Sequence, residues 1–296
     1  LRLRGLEPSA TLAINELCAL RQRQGREIFR LGLGQSPFPV PDSVVAALAD
    51  NAHQKDYLPV RGLAELREAV AAFHNRAEGL NAVCDDVLIG PGSKELIFIA
   101  QLALDAELLL PAPSWVSYAP QAQIAGRSVA WLGTTQQSGW RLEPSTLAAH
   151  CAADPLRPRL LILNYPNNPA GTTYGADALE ALAEVCREHQ IVVVSDEIYG
   201  EVHHAAEHVS LARFYPDGTI VSSGLSKWCG AGGWRLGTFL FPRNLRPLLD
   251  AMAVIASETF TSTSAPIQYA AVRAFQGGPD IDAYLRDVEG GQCVPT

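Results

Sequence analysis

The sequence predicts an α/β fold, a mostly parallel sheet covered by helices. Two patterns carry that expectation. Short apolar runs of strand length recur along the chain, and several are continuous, as in strands buried on both faces. Between them lie segments whose apolar residues recur at three- and four-residue spacing, the period of a helix with one buried face. A length of 296 residues and a hydrophobic content of 48% suit one sizeable domain, or one domain plus part of a second.

In chain order, strands are expected at 87–90, 108–111, 129–132, 160–164, 191–195, 219–222 and 237–241. Helices are expected at 62–78, 94–104, 118–125, 176–189 and 245–257. Alternation of the two argues for parallel strands joined by helical crossovers. No internal repeat and no low-complexity linker interrupts it.

Charged residues make up 18% of the chain and the formal net charge is −8, with no basic block. That argues against nucleic acid or an anionic membrane surface as the main partner. An anionic ligand must be held instead by a few placed cations and backbone N–H groups. The six cysteines, Cys18, Cys84, Cys151, Cys186, Cys229 and Cys293, form no CxxC pair and no zinc-like spacing. Free thiols in a reducing cytoplasm are expected. His204 and His208 can share a helix face, but no third ligand accompanies them, so no metal site is expected. Residues 1–25 carry Arg2, Arg4, Glu7, Arg21 and Arg23 without a long apolar run, and are read as neither signal peptide nor membrane anchor.

In parallel sheets, ligands bind where strands end and loops turn into helices. The polar signals fall at such places. Pro91-Gly92-Ser93-Lys94-Glu95 follows a strand and opens a helix, whose free N–H groups and dipole favour an anion. The alternative is an ordinary cap at Ser93. Asn164-Tyr165-Pro166-Asn167-Asn168-Pro169-Ala170-Gly171 is either a plain turn or one whose prolines hold the Asn168 amide toward a ring oxygen. Asp196 ends an apolar strand, with Tyr199 close behind. It either caps a helix or, if buried, faces a cation such as a protonated pyridine nitrogen. Trp115 either stacks on a flat ligand or packs at the edge of the core.

The last signal is the richest. In Gly224-Leu225-Ser226-Lys227-Trp228-Cys229-Gly230-Ala231-Gly232-Gly233-Trp234-Arg235-Leu236-Gly237, one lysine stands in a loop of small residues with one arginine beyond it. A lysine nucleophile needs a desolvated or cation-rich setting, and its commonest chemistry is a Schiff base with an aldehyde cofactor. Small residues let backbone approach a planar ligand closely, and Arg235 offers a fixed charge for a phosphate.

These residues, in this order, resemble the class I/II aminotransferases of fold type I, which depend on pyridoxal 5′-phosphate (PLP). The lysine segment fits that family's attachment signature at every position, and supporting matches run from about Leu31 to Ala274. Leu33-Gly34-Gln35-Ser36-Pro37-Phe38 is similar to the family's Gly-Glu-Pro-Asp-Phe turn. Tyr57-Leu58-Pro59-Val60-Arg61-Gly62, followed by Glu65-Leu66-Arg67, is similar to its Tyr…Gly…Glu-Leu-Arg segment.

The resemblance implies a three-layer α/β/α domain with a mostly parallel seven-stranded sheet. It divides the chain into an N-terminal arm at 1–35, a PLP-binding large domain at 36–280 and the start of a C-terminal small domain, largely absent, at 281–296. It implies an aminotransferase working between an L-amino acid and a 2-oxo acid, with Lys227 in the internal Schiff base and shuttling the proton between Cα and C4′. Asp196 then pairs with the pyridine nitrogen, Asn168 and Tyr199 hydrogen-bond the ring oxygen, and Trp115 stacks on the ring. Gly92, Ser93, Lys94 and Arg235 surround the phosphate, and the Gly34 backbone and Asn168 meet the substrate carboxylate. Tyr57 and residues 261–263 reach the neighbouring subunit's phosphate, so a homodimer with shared sites is implied.

Three departures bear on that picture. Gly224 stands where the family often has serine, Gln35-Ser36 replaces Glu-Pro, and no residue matches the small-domain arginine that grips the substrate carboxylate. No arginine is assigned to a second carboxylate either, which argues against strict specificity for acidic substrates. Two alternatives stay open: a PLP-dependent lyase or decarboxylase on the same scaffold, and a truncated PLP-binding protein without turnover.

Overall fold

The structure, a computed structural model, describes residues 10–29, 34–202 and 208–290. Each of the expected runs forms a strand of one seven-stranded sheet: β1 (Val87–Gly90), β2 (Glu107–Ala112), β3 (Val129–Gly133), β4 (Arg159–Asn164), β5 (Val192–Asp196), β6 (Thr219–Gly224) and β7 (Gly237–Leu240). Their order across the sheet is β1-β7-β6-β5-β4-β2-β3. Strands β2 to β6 pair in parallel, and β7 runs antiparallel to both β1 and β6.

Helices cover both faces: α1 (Ala10–Arg23), α2 (Asp42–Asn51), α3 (Ala64–Glu78), α4 (Ser93–Ala103), α5 (Tyr118–Ala125), α6 (Pro144–Ala152), α7 (Ala176–Glu188), α8 (Arg246–Thr259), α9 (Ala265–Gln276) and α10 (Pro279–Glu289). Alternation along the strands explains the layering, since successive side chains point to opposite faces. Leu160 and Ile162 of β4 join Leu96 and Ile97 of α4, Tyr118 of α5 and Met252 of α8. Leu161 and Leu163 pack the other way, on Leu147 of α6 and Leu179 and Leu182 of α7. On that same face, Ile89 of β1 and Val221 of β6 meet Leu66 and Val70 of α3 and Phe275 of α9. This is the expected three-layer α/β/α arrangement. Among the described residues no helix is long and apolar enough to cross a membrane.

Helix α3 starts at Ala64, two residues later than the sequence spacing suggests. Gly62 has φ +105, outside the helical region, and a Cβ there would lie 2.4 Å from Cγ1 of Ile89. Five helices, α1, α2, α6, α9 and α10, were not anticipated. Helix α10 is anchored by buried Ile281 and Val288, and by Asp280, which accepts from Ser43 Oγ at 2.6 Å and from Arg273.

One contact ties the sheet to the site. A Cβ on Gly237, the first residue of β7, would lie 2.1 Å from the backbone nitrogen of Ser93 and 2.4 Å from the carbonyl carbon of Gly92. Only glycine lets β7 lie directly against the start of α4. Gly237→Ala is therefore expected to destabilise the protein by about 1–3 kcal/mol, the usual size of an overpacked contact. It should also weaken anion binding at that helix start. Calorimetric unfolding and a phosphate titration check both effects, and an unchanged melting temperature would show that the contact is soft.

Candidate active site

The residues singled out in the sequence stand along one edge of the sheet, at the carboxyl ends of its parallel strands. Gly92, Ser93 and Lys94 follow β1, Trp115 follows β2, Asn168 follows β4, Asp196 is the last residue of β5, and Lys227 follows β6. Arg235 precedes β7, whose antiparallel course starts at this same edge.

Asp196 is a strand residue, paired with Asn164 of β4 and Ser222 of β6, and a turn rather than an α-helix comes after it. The helix-cap alternative is thereby excluded. Its carboxyl is buried at 3% exposure and accepts from Tyr118 Oη at 2.5 Å, from Ser222 Oγ at 3.1 Å and from the Ile198 amide. Burial pushes its pKa up even against these donors, and the neighbouring Glu197 charge adds to the rise. Tyr118 is a residue that the sequence reading counted only as part of a helix. Its ring also meets Trp115 edge-on at 5.2 Å, so one side chain sets both the carboxylate and the tryptophan.

Lys227 is half-buried, its Nζ donating to the Gly34 carbonyl at 2.6 Å and lying 5.3 Å from the Tyr199 ring centroid. Burial lowers its pKa most; the Asp196 charge pulls the other way, and repulsion from Arg235 adds a smaller lowering. Tyr199 accepts from Asn168 Nδ2 at 3.4 Å, and burial raises its own pKa. Asn168 is held by its backbone: its amide donates to Asn164 Oδ1 at 2.7 Å, and Asn164 Nδ2 donates to the Asp196 carbonyl at 2.8 Å.

At the start of α4 the N-cap is Gly92, at φ +96, and Ser93 is the first helical residue. The expectation of a cap at Ser93 gives way, because glycine adopts this backbone without strain. A Cβ at Gly92 would lie 2.3 Å from Nη2 of Arg235, so the guanidinium lies directly over the glycine. Arg235 itself sits in the left-handed region at φ +58, unusual for a side-chain-bearing residue, and its Nη1 donates to the Gly232 carbonyl at 2.9 Å. Lys94 Nζ stands 5.3 Å from the Trp115 ring centroid, and burial together with Arg235 lowers its pKa. Among the described residues, none of Lys94, Lys227 and Arg235 has a carboxylate within ion-pair distance.

Serine is excluded at Gly224 by shape, since a Cβ there would meet the Leu236 carbonyl oxygen at 2.6 Å. Tyr57 is 88% exposed and does not join the cluster of its own chain. His204 and Leu33 lie outside the described residues. His208 does not stand free for a metal but contacts Glu197 Oε2 at 2.9 Å.

The family model for aminotransferase class I and II matches residues 26–289. Aspartate aminotransferase of Geobacillus stearothermophilus is 34% identical over 285 residues, covering 93% of this chain and 71% of that protein. Aspartate/prephenate aminotransferase of Thermus thermophilus is 34% identical over 278 residues, covering 92% of this chain and 71% of the other. Among solved structures, aspartate aminotransferase from Thermus thermophilus with maleate superposes with a TM-score of 0.90 at 31% identity, over 97% of this chain and 77% of that one.

Pyridoxal phosphate carries a dianionic phosphate, a ring nitrogen that binds a proton and an aldehyde that takes an amine. The site offers each a counterpart: Arg235 over a glycine at a helix N-terminus with Lys94 on the first turn, a buried carboxyl with no cation in ion-pair contact among the described residues, and a lysine of lowered pKa. The chain belongs to the class I and II aminotransferases, PLP-dependent enzymes that pass an amino group between an amino acid and a 2-oxo acid.

Proposed function

We propose that Lys227 is the reacting amine of this transaminase and that the cluster around it is the active site. One observation carries the assignment. A half-buried amine of lowered pKa and a buried carboxyl with no cation in contact stand on the ends of neighbouring strands, β6 and β5. When bound, the cofactor supplies an aldehyde carbon open to amines and a protonated ring that accepts the electrons released at the substrate Cα. Asp196 holds the proton on the pyridine nitrogen, because at this depth its charge needs a cationic partner. Asn168 and Tyr199 hydrogen-bond the ring oxygen, and Trp115 covers one face of the ring. Gly92, Ser93, Lys94 and Arg235 receive the phosphate. Lys227 would be the base that takes the proton from the substrate Cα and the acid that returns it at C4′. The Gly34 backbone and the Asn168 amide meet the substrate carboxylate.

An acidic donor is the substrate we propose, since the relatives are named aspartate and aspartate/prephenate aminotransferases. This departs from the expectation drawn from the missing second arginine.

We also propose a cytoplasmic homodimer, in which Tyr57 and residues 261–263 complete the phosphate site of the neighbour. The exposure of Tyr57 and of Ile14, Leu17 and Leu20 on α1 supports it. The arm at 1–35, the large domain at 36–280 and the small-domain start at 281–296 belong to the same reading.

L-Aspartate is expected to exceed neutral amino donors in kcat/KM by at least about tenfold. Lys227→Ala should lower turnover at least about 10³-fold, through loss of both nucleophile and proton carrier. A donor panel read by 2-oxo acid formation checks both, and elimination products without transamination would overturn the reaction assigned. The lysine makes a second prediction. Asp196→Asn removes the charge that pulls the Lys227 pKa up, so that pKa should fall further, whereas Arg235→Gln should raise it. The pH dependence of the reaction between cofactor-free protein and pyridoxal reads the direction. For the dimer, mixing Tyr57→Ala and Lys227→Ala subunits should restore activity above that of either alone; no gain on mixing would mean the sites are not shared.

A further inference from the structure

Glu197, directly after Asp196, is buried at 6% exposure and has none of the roles assigned above. Its Oε1 accepts from Ser195 Oγ at 2.7 Å, Ser210 Oγ at 2.7 Å and Tyr165 Oη at 3.1 Å, and its Oε2 faces His208 Nε2 at 2.9 Å. Tyr165 Oη in turn accepts the Leu211 amide at 2.7 Å, so its one proton is left for Glu197. Every neighbour is a donor, and only an ionised carboxylate satisfies them all. Burial opposes that charge, but the hydrogen bond and charge of His208, with the hydroxyls, outweigh it and lower the Glu197 pKa. Burial likewise disfavours the His208 cation, and Glu197, Glu78 and Glu201 outweigh it, raising the His208 pKa; His74, which faces it from α3, has its own pKa lowered to about 4, by burial first.

The partners of this carboxylate lead to the ligand-facing residues. Tyr165 begins the turn that carries Asn168, and its ring stacks on His208 at 5.3 Å and 28°. The Gly200 amide donates to the Glu197 carbonyl at 2.8 Å, closing the turn that carries Tyr199. Gly200 is closely packed as well, since a Cβ would stand 3.1 Å from that carbonyl and 3.1 Å from the His208 ring. The segment with His208 and Ser210 is itself fixed from α3, where Glu78 accepts the Ser210 amide at 2.9 Å and Arg213 Nε at 2.7 Å.

We propose that Glu197 is a positioning residue, whose buried carboxylate holds the Asn168 turn and the Tyr199 turn at the spacing that delivers both side chains to the ring oxygen of the cofactor. The proposal rests on the assignment of Asn168 and Tyr199 made under Proposed function. Glutamine is a poor substitute. Its amide brings two donors into a ring of donors, and accepting one of them at His208 Nε2 would move the imidazole proton to Nδ1, which is buried with no hydrogen-bond partner.

The test is a mutant cycle on the cofactor-loaded protein, read by the pH midpoint of the bound cofactor's visible absorbance and by the cofactor dissociation constant from equilibrium dialysis. Glu197→Gln is expected to move the midpoint by roughly one pH unit and to weaken binding about tenfold, as for one hydrogen bond lost to a charged group. In the Tyr199→Phe, Asn168→Ala background the same change should move the midpoint much less, because the groups it acts through are gone. Equal shifts in the two backgrounds would mean a general structural role and overturn the proposal. So would an unmoved midpoint in Glu197→Gln alongside a shift in Tyr199→Phe, with the underlying assignment left standing. No shift in Tyr199→Phe, Asn168→Ala overturns the assignment itself. If Glu197→Gln does not fold, Ser210→Ala removes one donor and keeps the carboxylate. It should give a smaller shift in the same direction, and no shift would count against the proposal.

Discussion

A carboxyl group at the end of β5, the central strand, is closed off from water by the layers on either side, and the site is organised around that fact. A fully isolated carboxylate in a dry interior is unfavourable by tens of kcal/mol, whereas a hydrogen bond to a charged group returns about 1.5–3 kcal/mol. Tyr118, Ser222 and the Ile198 amide give Asp196 three such bonds, which leaves its pKa still raised. Under the proposed assignment, a protonated ring nitrogen would complete this acceptor. Lys227 is the mirror case, an amine whose pKa burial lowers, with Asp196 opposing the fall and Arg235 adding to it. Each group is strained toward its neutral form, and both become comfortable when the same ligand is present.

Topology is what sets these two groups side by side. Parallel β4, β5 and β6 deliver Asn168, Asp196 and Lys227 to one edge, in the spatial order of the strands. The single antiparallel strand, β7, then returns Arg235 to that same edge and lays Gly237 against the first turn of α4. The anion-binding helix start and the arginine are brought together by this reversal. A parallel strand in the β7 position would have started at the opposite edge and put Arg235 there.

How much of this was legible in the sequence depended on whether a residue's role is local. Lys227, Asp196 and Asn168 stood out because each is a polar residue where an apolar run ends, and the sheet puts those ends together. The seven strands were legible for the same reason, as continuous apolar runs are rare outside buried strands. Tyr118 was hidden because any large side chain satisfies its helical spacing, and its hydroxyl acquires a purpose only when Asp196 arrives from 78 positions away. Glu197 was hidden likewise, its partners Tyr165, Ser195, His208 and Ser210 being scattered along the chain. Gly224 was read as a lost hydroxyl, whereas the approach of Leu236 leaves no side chain room there.

The same arrangement makes the stability of the fold depend on its ligand. Arg235 repels both Lys94 and Lys227 and holds a left-handed backbone, and Asp196 has no cation in ion-pair contact among the described residues. Under the proposed assignment, one molecule with an anionic end and a cationic ring would offset the repulsion and supply the missing cation. Anything that binds the folded state alone stabilises it by about 2.7 kcal/mol at a hundred times its dissociation constant. On the proposed assignment that gain would owe little to ordering loose groups, because the carboxyl, the tyrosine turn and the asparagine turn are already held by hydrogen bonds to Tyr118, the Glu197 carbonyl and Asn164. A rigid site with unmet charges binds firmly because little conformational entropy is lost on binding. It also keeps its reacting groups aimed while the substrate amine and the lysine exchange places, which is the geometric condition for moving a proton between two carbon atoms within a single site.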